Sequence, residues 1–560
     1  MDFTWITLAI ILIGIFTVVG GILIFRLHAF IALILGAILV ALLTPSTSIE
    51  RHVLAGASVD FRIAAPEAKG IGEAEPPPGR VLLPNNGPTG VTTLDVVRLD
   101  PSVGHHVSIG MARVDASGTH ADFYPAESLT TLEANDLLVP SSILDRANEL
   151  AGQTVGERVA TGFGTTCAKI GILIAFASII GKCLLDSGAA DRIVRSAMGL
   201  LGERRAGGAF LGSGFLLGIP VFFDTVFYLM IPLGKAMRMR TGRNYLFYVL
   251  TITAGATMAH SLVPPTPGPL FVAEALGVDI GLMILAGIVV GIFTAGTGYL
   301  YASVLNRHCE LPLRDTPEFS LEELERLAQR DENTLPPLFV SLLPILLPVV
   351  LIGGMTVINT LQLDLSAGLT RIIQTFGNKN IALLLAAGIA MATVAWQKRT
   401  SLRDLGASIE QSLASGGVII LITAGGGAFG LALQQTGVAG LIDGLPSTSP
   451  ALIVTFAFLI TTAVRTAQGS ATVAMITAVG ILSGLTTSGN LPFHPVYLAL
   501  AIGCGSKPIA WMNDSGFWVI ARMSGMSERE ALKYVTPMSI LMGLTGLLIV
   551  VIGVTLFPLV

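Results

Sequence analysis

The side chains best suited to chemistry in this sequence lie inside apolar stretches, beside residues that interrupt helices. Asp224 ends the segment "GIPVFFD", Asp514 lies in "MNDSGFW", and Arg465 begins "RTAQGSAT". Lys507 follows another apolar run. Ionisable groups are costly within a bilayer, and they mark ligand or ion sites by default. Cations of this kind bind carboxylates, and buried carboxylates can carry protons or accept hydrogen bonds from hydroxyl groups.

Two of these regions contain residues that cannot continue a regular helix. The segment "VPPTPGP" (263–269) and the segment "NDSG" both fall inside apolar runs. Irregular backbone at membrane depth is tolerated where protein or a water-filled cavity satisfies it. The free N–H groups of half-helices then bind anions. The residues expected to supply broken-helix backbone are Pro264, Pro265, Pro267, Gly268, Ser515 and Gly516.

The candidate site residues divide into two groups by chemistry. The candidates for substrate binding are Thr266, Arg465, Gln468, Ser470, Lys507, Asn513 and Asp514. The candidates for proton coupling are Asp224, Asp514 and His260. Each ionisable residue also has a structural alternative. The aspartates could cap helices, and Arg465 could pair with an acid. Lys507 could lie at an aqueous edge, and His260 could be a neutral hydrogen-bonding group.

The composition defines the class of protein. Of the 560 residues, 52% are hydrophobic and 12% are charged, whereas soluble domains carry about 25% charged residues. Apolar runs such as 3–25, 281–303 and 535–560 approach or exceed the roughly 20 residues that cross a hydrocarbon core. We therefore predict a multi-pass helical membrane protein, and we expect its location to be the cell (inner) membrane. The sequence shows no nucleophile–base motif, zinc spacing or nucleotide fingerprint, so we expect no enzyme activity, cofactor, metal or nucleic-acid partner.

The segment 48–160 differs from the rest of the chain. It holds 15 acidic and 8 basic residues, and it contains alternating stretches such as "HHVSIGMARV" (105–114). Alternation of apolar and polar residues is typical of half-buried strands. The segment is predicted to be a small β-rich soluble insert, and its histidines are predicted to lie on a solvated surface. We expect it to cap or dock at the outer mouth of the protein.

The positive-inside rule orients the chain. Placing the clusters of basic residues in the cytoplasm makes the insert extracytoplasmic. It also leaves 207–234 and 451–484 as re-entrant hairpins, because the apolar legs of 207–234 are too short for two crossings. The rest of the chain is divided as follows. Residues 1–47 form two transmembrane helices, and 161–303 form the rest of repeat one. Residues 304–336 form a cytoplasmic linker with a short amphipathic segment at 320–329, and 337–560 form repeat two.

An internal repeat supports this division. A shift of 249 residues pairs "GKCLLDSGAADRI" (181–193) with "GLALQQTGVAGLI" (430–442), and it pairs the two hairpins and the two broken segments. The charge pattern gives the paired segments opposite directions. The predicted fold is an all-α polytopic membrane protein of two inverted repeats. Each repeat has five transmembrane crossings and one re-entrant hairpin, and the β-rich extracytoplasmic insert interrupts the first.

Several long segments resemble the gluconate permease (gluconate:proton symporter) family of the ion transporter superfamily. They are "GFGTTCAKIGILI" (162–174), "GIPVFFDTVFYLMIPL" (218–233), "HSLVPPTPGP" (260–269), "RTAQGSATVAMITAVGI" (465–481) and "NDSGFW" (513–518). The resemblance implies a secondary active transporter that takes up a sugar acid or small hydroxy acid with protons and is often a homodimer. The insert departs from the family pattern.

We therefore expect proton-coupled uptake of gluconate or a related sugar acid. One alternative is a sodium-coupled symporter for an organic anion or a D-serine-like hydroxy-amino acid, because unwound carbonyls can also bind Na⁺. A more remote alternative is a membrane sensor that uses the external domain as its receptor. Paired hairpins favour a carrier, since a channel needs a continuous pore.

Overall fold

The structure is a computed structural model. It describes residues 3–55, 57–59, 61–63, 80–83, 93–100, 105–115, 120–126, 132–133, 136–314, 334–363, 365–399, 401–437, 449–482 and 491–559. The predicted amphipathic segment 320–329 lies outside these residues, as does the end of the second predicted hairpin beyond residue 482.

The apolar runs of the first half form helices separated by the polar insert. Before and within the insert these are α1 (Phe3–Leu23), α2 (Ala29–Leu43), α3 (Ser46–Ala55) and α4 (Ser141–Gly152). After it come α5 (Val155–Asp186), α6 (Ala189–Leu201), α7 (Ala206–Leu217), α8 (Phe223–Thr241), α9 (Tyr245–Leu262), α10 (Pro267–Ala275) and α11 (Ile280–Asn306). A short 3₁₀ turn, Glu203–Arg205, precedes α7.

The second half has helices and connecting segments but no strand in its described residues. Its helices are α12 (Leu338–Thr360), α13 (Ala367–Gly377), α14 (Lys379–Lys398), α15 (Leu402–Gln435), α16 (Pro450–Gln468), α17 (Ala471–Leu482), α18 (Val496–Gly505), α19 (Ser515–Ser524) and α20 (Glu528–Leu556). The break between α9 and α10 is the segment 263–266, and the break between α18 and α19 is the segment 506–514.

The helices confirm a multi-pass membrane protein. Among the described residues, nine spans are long and apolar enough to cross a bilayer, with α9 and α10 counted as one. A tenth is obtained if α2 and α3, which meet at 97°, are counted as one broken span. The helix α16 reaches this length by itself, with 19 residues. In contrast, α7 and α17 have 12 residues each and are therefore about 18 Å long, which is too short for a crossing.

Helix boundaries recur at the spacing found in the sequence. Shifting α5 by 249 residues gives 404–435, which matches α15, and shifting α11 gives 529–555, which matches α20. The short helices α10 and α19 correspond in the same way. Matched helices also pack on each other, since α5 lies along α15 and α11 lies along α20. The recurrence supports two structural repeats, and their opposite direction in the membrane stays a prediction.

The insert contains the predicted strands. They are β1 (Arg62–Ile63), β2 (Arg80–Leu82), β3 (Thr93–Asp100), β4 (His105–Val114), β5 (His120–Pro125) and β6 (Leu137–Val139). The six strands form one sheet in the order β1-β2-β5-β4-β3-β6, and each neighbouring pair is antiparallel. Alternate residues such as Leu94, Val96 and Phe123 are buried in its core, as the sequence pattern predicts.

The insert also contains two helices that the sequence pattern does not reveal. The helices α3 and α4 pack on each other and against strands β3 and β6, and they share a small core of Leu54, Val97, Val139 and Ala147. The helix α5 begins at Val155, where Thr154 and Glu157 form a capping box. Membrane helix and insert are therefore joined without a flexible linker.

Candidate functional site

A cavity of about 380 Å³ lies between α9, α15, α20, the break between α18 and α19, and two helix–helix turns. The turns join α7 to α8 and α16 to α17, and we call them the two hairpin tips. This volume is typical of sites for small molecules. The hydroxyl, charged and imidazole groups that line it come from Asp224, Thr225, Thr253, Thr257, His260, Ser415, Arg465, Ser470, Thr472, Lys507, Asp514, Ser515 and Ser539. Both halves of the chain contribute to this central cavity.

Arg465 is held in place by three contacts. Its Nε donates to the carbonyl of Ser506 at 3.0 Å, one Nη donates to the carbonyl of Gly469, and the other donates to the carboxylate of Asp514. Arg465 and Asp514 are only 5% and 8% exposed. A guanidinium has five N–H bonds, so two remain for a ligand. Arg465 thus ties the second hairpin tip to the break that contains Asp514.

The neighbouring backbone strengthens that link. Asp514 caps α19 by accepting from the N–H of Gly516 at 2.9 Å. Asn513 donates from Nδ2 to the carbonyls of Thr466 and Ala467 at 2.8 and 3.0 Å. The hairpin turns at Gly469, whose φ of 80° is in the left-handed region that favours glycine.

Lys507 has different surroundings. It is 7% exposed and lines the cavity at the end of α18. It forms no ion pair with any residue that the structure describes, whereas the nearby Arg465 is paired. A buried ammonium without a partner is costly, and an anionic ligand would remove that cost. Lys507 is therefore the cation most available to a carboxylate.

Three helices begin at the cavity wall: α8 at Phe223, α17 at Ala471 and α19 at Ser515. The N-terminus of a helix carries a partial positive charge and N–H groups without intrahelical partners. The side chain of Ser470 accepts a hydrogen bond from the N–H of Val473, and that of Asp514 accepts one from the N–H of Gly516. The converging helix ends favour a bound anion.

Asp224 and His260 also line the cavity. Asp224 is half-buried in the first turn of α8. The ring of His260 contacts the edge of Phe222, with centroids 6.2 Å apart, and its Nδ1 is buried without a hydrogen-bond partner among the described residues. All three predicted proton-coupling positions, Asp224, His260 and Asp514, thus line the cavity.

Several predicted binding residues lie away from the cavity. The hydroxyl of Thr266 donates to the carbonyl of Val263 at 2.7 Å, and Gln468 and Asn513 do not line the cavity either. Pro264 and Pro265 line a separate small apolar pocket, and Pro267 begins α10. Gly268 packs on Met475 of α17. The broken segment 263–266 thus supports the site without forming its wall, contrary to the expectation for Thr266.

The structure adds polar residues that the sequence did not single out. Thr253 and Thr257 lie on α9 one turn apart, and His260 follows one turn later. Spacings of three and four residues place side chains on one helix face, so this polar stripe on an apolar helix was the available signal. Ser415 of α15 and Ser539 of α20 also line the cavity, and nothing in their local sequence distinguishes them.

A smaller cavity of about 190 Å³ adjoins the central one, and both are lined by Phe222, Thr225 and Ser415. It extends along α5 towards Lys182. Within the described part of the chain, no group of three or more His, Cys, Asp or Glu residues is arranged to hold a metal ion.

Comparison with known proteins connects this geometry to a function. The profile of the GntP family of permeases matches residues 135–556. A gluconate permease of Pseudomonas aeruginosa is 31% identical over 74% of this chain and 91% of its own length. The inner membrane permease YgbN of Escherichia coli is 30% identical over 74% of this chain and 91% of its own length.

A solved structure resembles the fold. The YdaH transporter of Alcanivorax borkumensis aligns with a TM-score of 0.52, covering 83% of this chain and 94% of that one, at 15% identity. Similarity at this level of identity concerns the fold alone. The sequence comparison identifies a permease family, and the structure comparison supports the helical fold.

Proposed function

Because the chain belongs to the GntP family of permeases, we propose that it is a proton-coupled secondary transporter of gluconate or a related sugar acid in the inner membrane. Its relatives are permeases and transporters, so it is a carrier and not an enzyme. The names of relatives include gluconate permease and L-idonate transporter, which supports a polyhydroxylated carboxylate as substrate.

The observation that carries the proposal is the buried, unpaired Lys507 in a cavity lined by hydroxyl groups. The ammonium of Lys507 binds the carboxylate, assisted by the N-termini of α17 and α19. The hydroxyls of Thr253, Thr257 and Ser470 bind the hydroxyl groups of the sugar acid. Arg465 and Asp514 keep the tip and the break in register.

Asp224 is the proposed carrier of the coupling proton. It shares the cavity with Lys507 and forms no ion pair with a described residue. A carboxylate in a low-dielectric site gains a proton more readily than one in water. Protonation of Asp224 as the anion binds keeps the charge of the loaded cavity low, which favours the movement that exposes the site to the other side.

The test is uptake of labelled gluconate by proteoliposomes that contain the full chain. With an inward proton gradient and no Na⁺, we expect accumulation together with alkalinisation of the outside medium. The variant Asp224→Asn is expected to lose accumulation but to keep gluconate exchange at equal pH, because exchange requires no net proton movement. Glu528→Gln, which changes an exposed carboxylate outside the cavity, serves as the control.

Sodium coupling is the competing result of the same experiment. Uptake that follows a Na⁺ gradient and ignores the proton gradient would overturn the proton assignment and leave the substrate assignment intact. Failure of gluconate and of related sugar acids to be taken up under either gradient would refute the substrate class.

A further inference from the structure

A second cavity, of about 360 Å³, lies between the insert and the membrane helices. The insert contributes α3 and α4, and the membrane part contributes α5, α10, α15 and α17. None of its lining residues belongs to the central cavity. We call it the outer chamber, because the charge pattern places the insert outside the cytoplasm.

The outer chamber contains an incompletely satisfied buried cation. Arg158 is 7% exposed, and its Nη2 donates to the carbonyl of Ala41 at 2.7 Å. Its Nε and Nη1 are buried and have no hydrogen-bond partner among the described residues. Buried charged groups without partners are strongly unfavourable. A ligand that accepts hydrogen bonds would remove this cost.

Two further cations line the chamber. Arg146 of α4 and Lys169 of α5 line it, and neither forms an ion pair with a residue that the structure describes. Its one lining carboxylate among the described residues belongs to Glu274, which is already paired with Lys379. Three cations and one neutralised acid make the chamber attractive to an anion.

The chamber also offers acceptors suited to hydroxyl groups. Gln153 and Gln435 line it, and the amide oxygen of each is buried without a hydrogen-bond partner among the described residues. Amide oxygens accept hydrogen bonds, which a simple halide or phosphate trianion cannot donate but a hydroxyl group can. The donors and acceptors together fit a hydroxylated carboxylate better than a bare inorganic anion.

The two cavities are aligned along common helices. On α15, Ile419 lines the central cavity and Gly427 lines the outer chamber, a separation of about 12 Å along the axis. On α17, Ala471 lines the central cavity and Val479 lines the chamber. The chamber and the central cavity are thus about 12 Å apart along two shared helices.

We propose that the outer chamber is a second binding site for a small hydroxylated carboxylate, formed jointly by the insert and α5. The identity of the anion, a sugar acid, rests on the proposed function. The insert thereby supplies part of a site that collects substrate before it reaches the central cavity.

The test is calorimetric titration of gluconate into the purified full chain. The variant Lys507→Gln weakens the central site, so the binding that it retains reports the chamber. In this background, we expect one bound gluconate, and adding Arg158→Gln is expected to weaken it about tenfold through loss of charge-assisted hydrogen bonds. Arg371→Gln, at an exposed arginine outside both cavities, is the matched control.

A second variant protects the test against misfolding, because Arg158 also binds the carbonyl of Ala41. The pair Arg146→Gln and Lys169→Gln leaves that contact intact and is expected to weaken the same binding event. Absence of gluconate binding in the Lys507→Gln background, or unchanged affinity in both chamber variants, would overturn the proposal. Equal affinity for chloride would overturn the assignment to a hydroxylated carboxylate.

These outcomes separate the chamber from the transport function. Normal uptake without a second binding event would refute the chamber and leave the transporter assignment standing. If gluconate bound in the chamber but the protein transported no sugar acid, the transport function would be refuted and the chamber would stand.

Discussion

At the scale of single residues, the lysine and the arginine of the central cavity have different tasks. Arg465 has three protein acceptors, from Ser506, Gly469 and Asp514, while Lys507 forms no ion pair with a described residue. A planar guanidinium is suited to joining several fixed carbonyls, and an ammonium is suited to a single mobile ligand. We assign Arg465 mainly to positioning and Lys507 to binding.

This division predicts opposite consequences of two substitutions. Lys507→Gln is expected to raise the KM for gluconate by about 10- to 100-fold with little loss of stability, since a hydrogen bond to a charged group contributes about 1.5–3 kcal/mol. Arg465→Gln is expected to lower the free energy of unfolding by about 3–5 kcal/mol, because it leaves Asp514 buried without its partner. Uptake kinetics and thermal unfolding in detergent measure the two effects.

A control and a rescue complete the residue-scale test. Lys533→Gln changes an exposed lysine that lies over the ring of Tyr534 and should alter neither quantity. Adding Asp514→Asn to Arg465→Gln should recover part of the lost stability, because the uncompensated charge is then removed. If Arg465→Gln changed only KM, the positioning role would be wrong.

At the scale of helices, the site is positioned by the close approach of α7 and α9, whose backbones meet at a glycine. The helix α9 carries Thr253, Thr257 and His260 on the cavity side and packs against α7. At Gly255 an added Cβ would lie 2.2 Å from the carbonyl oxygen of Leu211 and 2.9 Å from the backbone nitrogen of Phe215. Backbone atoms cannot move aside as a side chain can, so this contact requires glycine.

Gly255→Ala is therefore expected to separate α7 from α9 and to lower stability by about 1–3 kcal/mol, the usual cost of overpacking. Gluconate uptake should fall as well, because α7 leads into the hairpin tip. The matched control is Gly212→Ala on α7, where an added Cβ meets nothing within 4 Å. Thermal unfolding and uptake check the pair, and equal behaviour of the two variants would contradict the packing argument.

At the scale of the whole molecule, a buried carboxylate joins α3 to the sheet of the insert. Glu50 is 0% exposed and accepts from the backbone N–H of His106 at 2.9 Å, and both His105 and His106 contact it through their rings. Burial raises the pKa of Glu50, but the hydrogen bonds from His105 and His106 outweigh it and leave the pKa below its usual value. Both histidines were expected on a solvated surface. His106 is instead buried at 8% exposure, whereas the side chain of His105 is 53% exposed and contacts Glu50 from the surface.

The sign of the resulting pH effect follows from linkage. A carboxylate whose pKa is lower in the folded protein contributes stability above the unfolded pKa of about 4.3, and that stability is lost as the pH falls through the lower folded value. We therefore expect α3 and β4 to gain hydrogen exchange, corrected for the intrinsic rate, as the pH falls below about 4.3.

The variant Glu50→Gln should remove the pH dependence of hydrogen exchange in α3 and β4. Exchange in these two elements should already be raised at pH 7. The control Glu133→Gln changes an exposed acid that pairs with Arg98 in the same domain and should behave like the unaltered protein, since exposed ion pairs contribute little. An unchanged pH profile in Glu50→Gln would show that other groups hold α3 on the sheet.

Much of the fold was predictable from the sequence because it depends on local composition and spacing. Apolar runs identified the membrane helices, alternation identified β3 and β4, and the 249-residue shift anticipated the recurring boundaries of α5 and α15. The breaks at 263–266 and 506–514 could be read from Pro265, Asn513 and their neighbours, since these residue types disfavour helix wherever they occur.

The tertiary structure alone decided which polar groups are available to a ligand. Arg465 is occupied by acceptors 41 and 49 residues away in the chain, and Arg158 meets an acceptor 117 residues away. No local pattern reports such pairings, because a buried charge is satisfied by whatever the packing of distant segments places beside it. By itself the sequence determined a membrane carrier with breaks beside ionisable residues. The packing of distant helices decided that Asp514 pairs with Arg465, that Lys507 forms no ion pair with a described residue, and that Thr266 lies outside the central cavity.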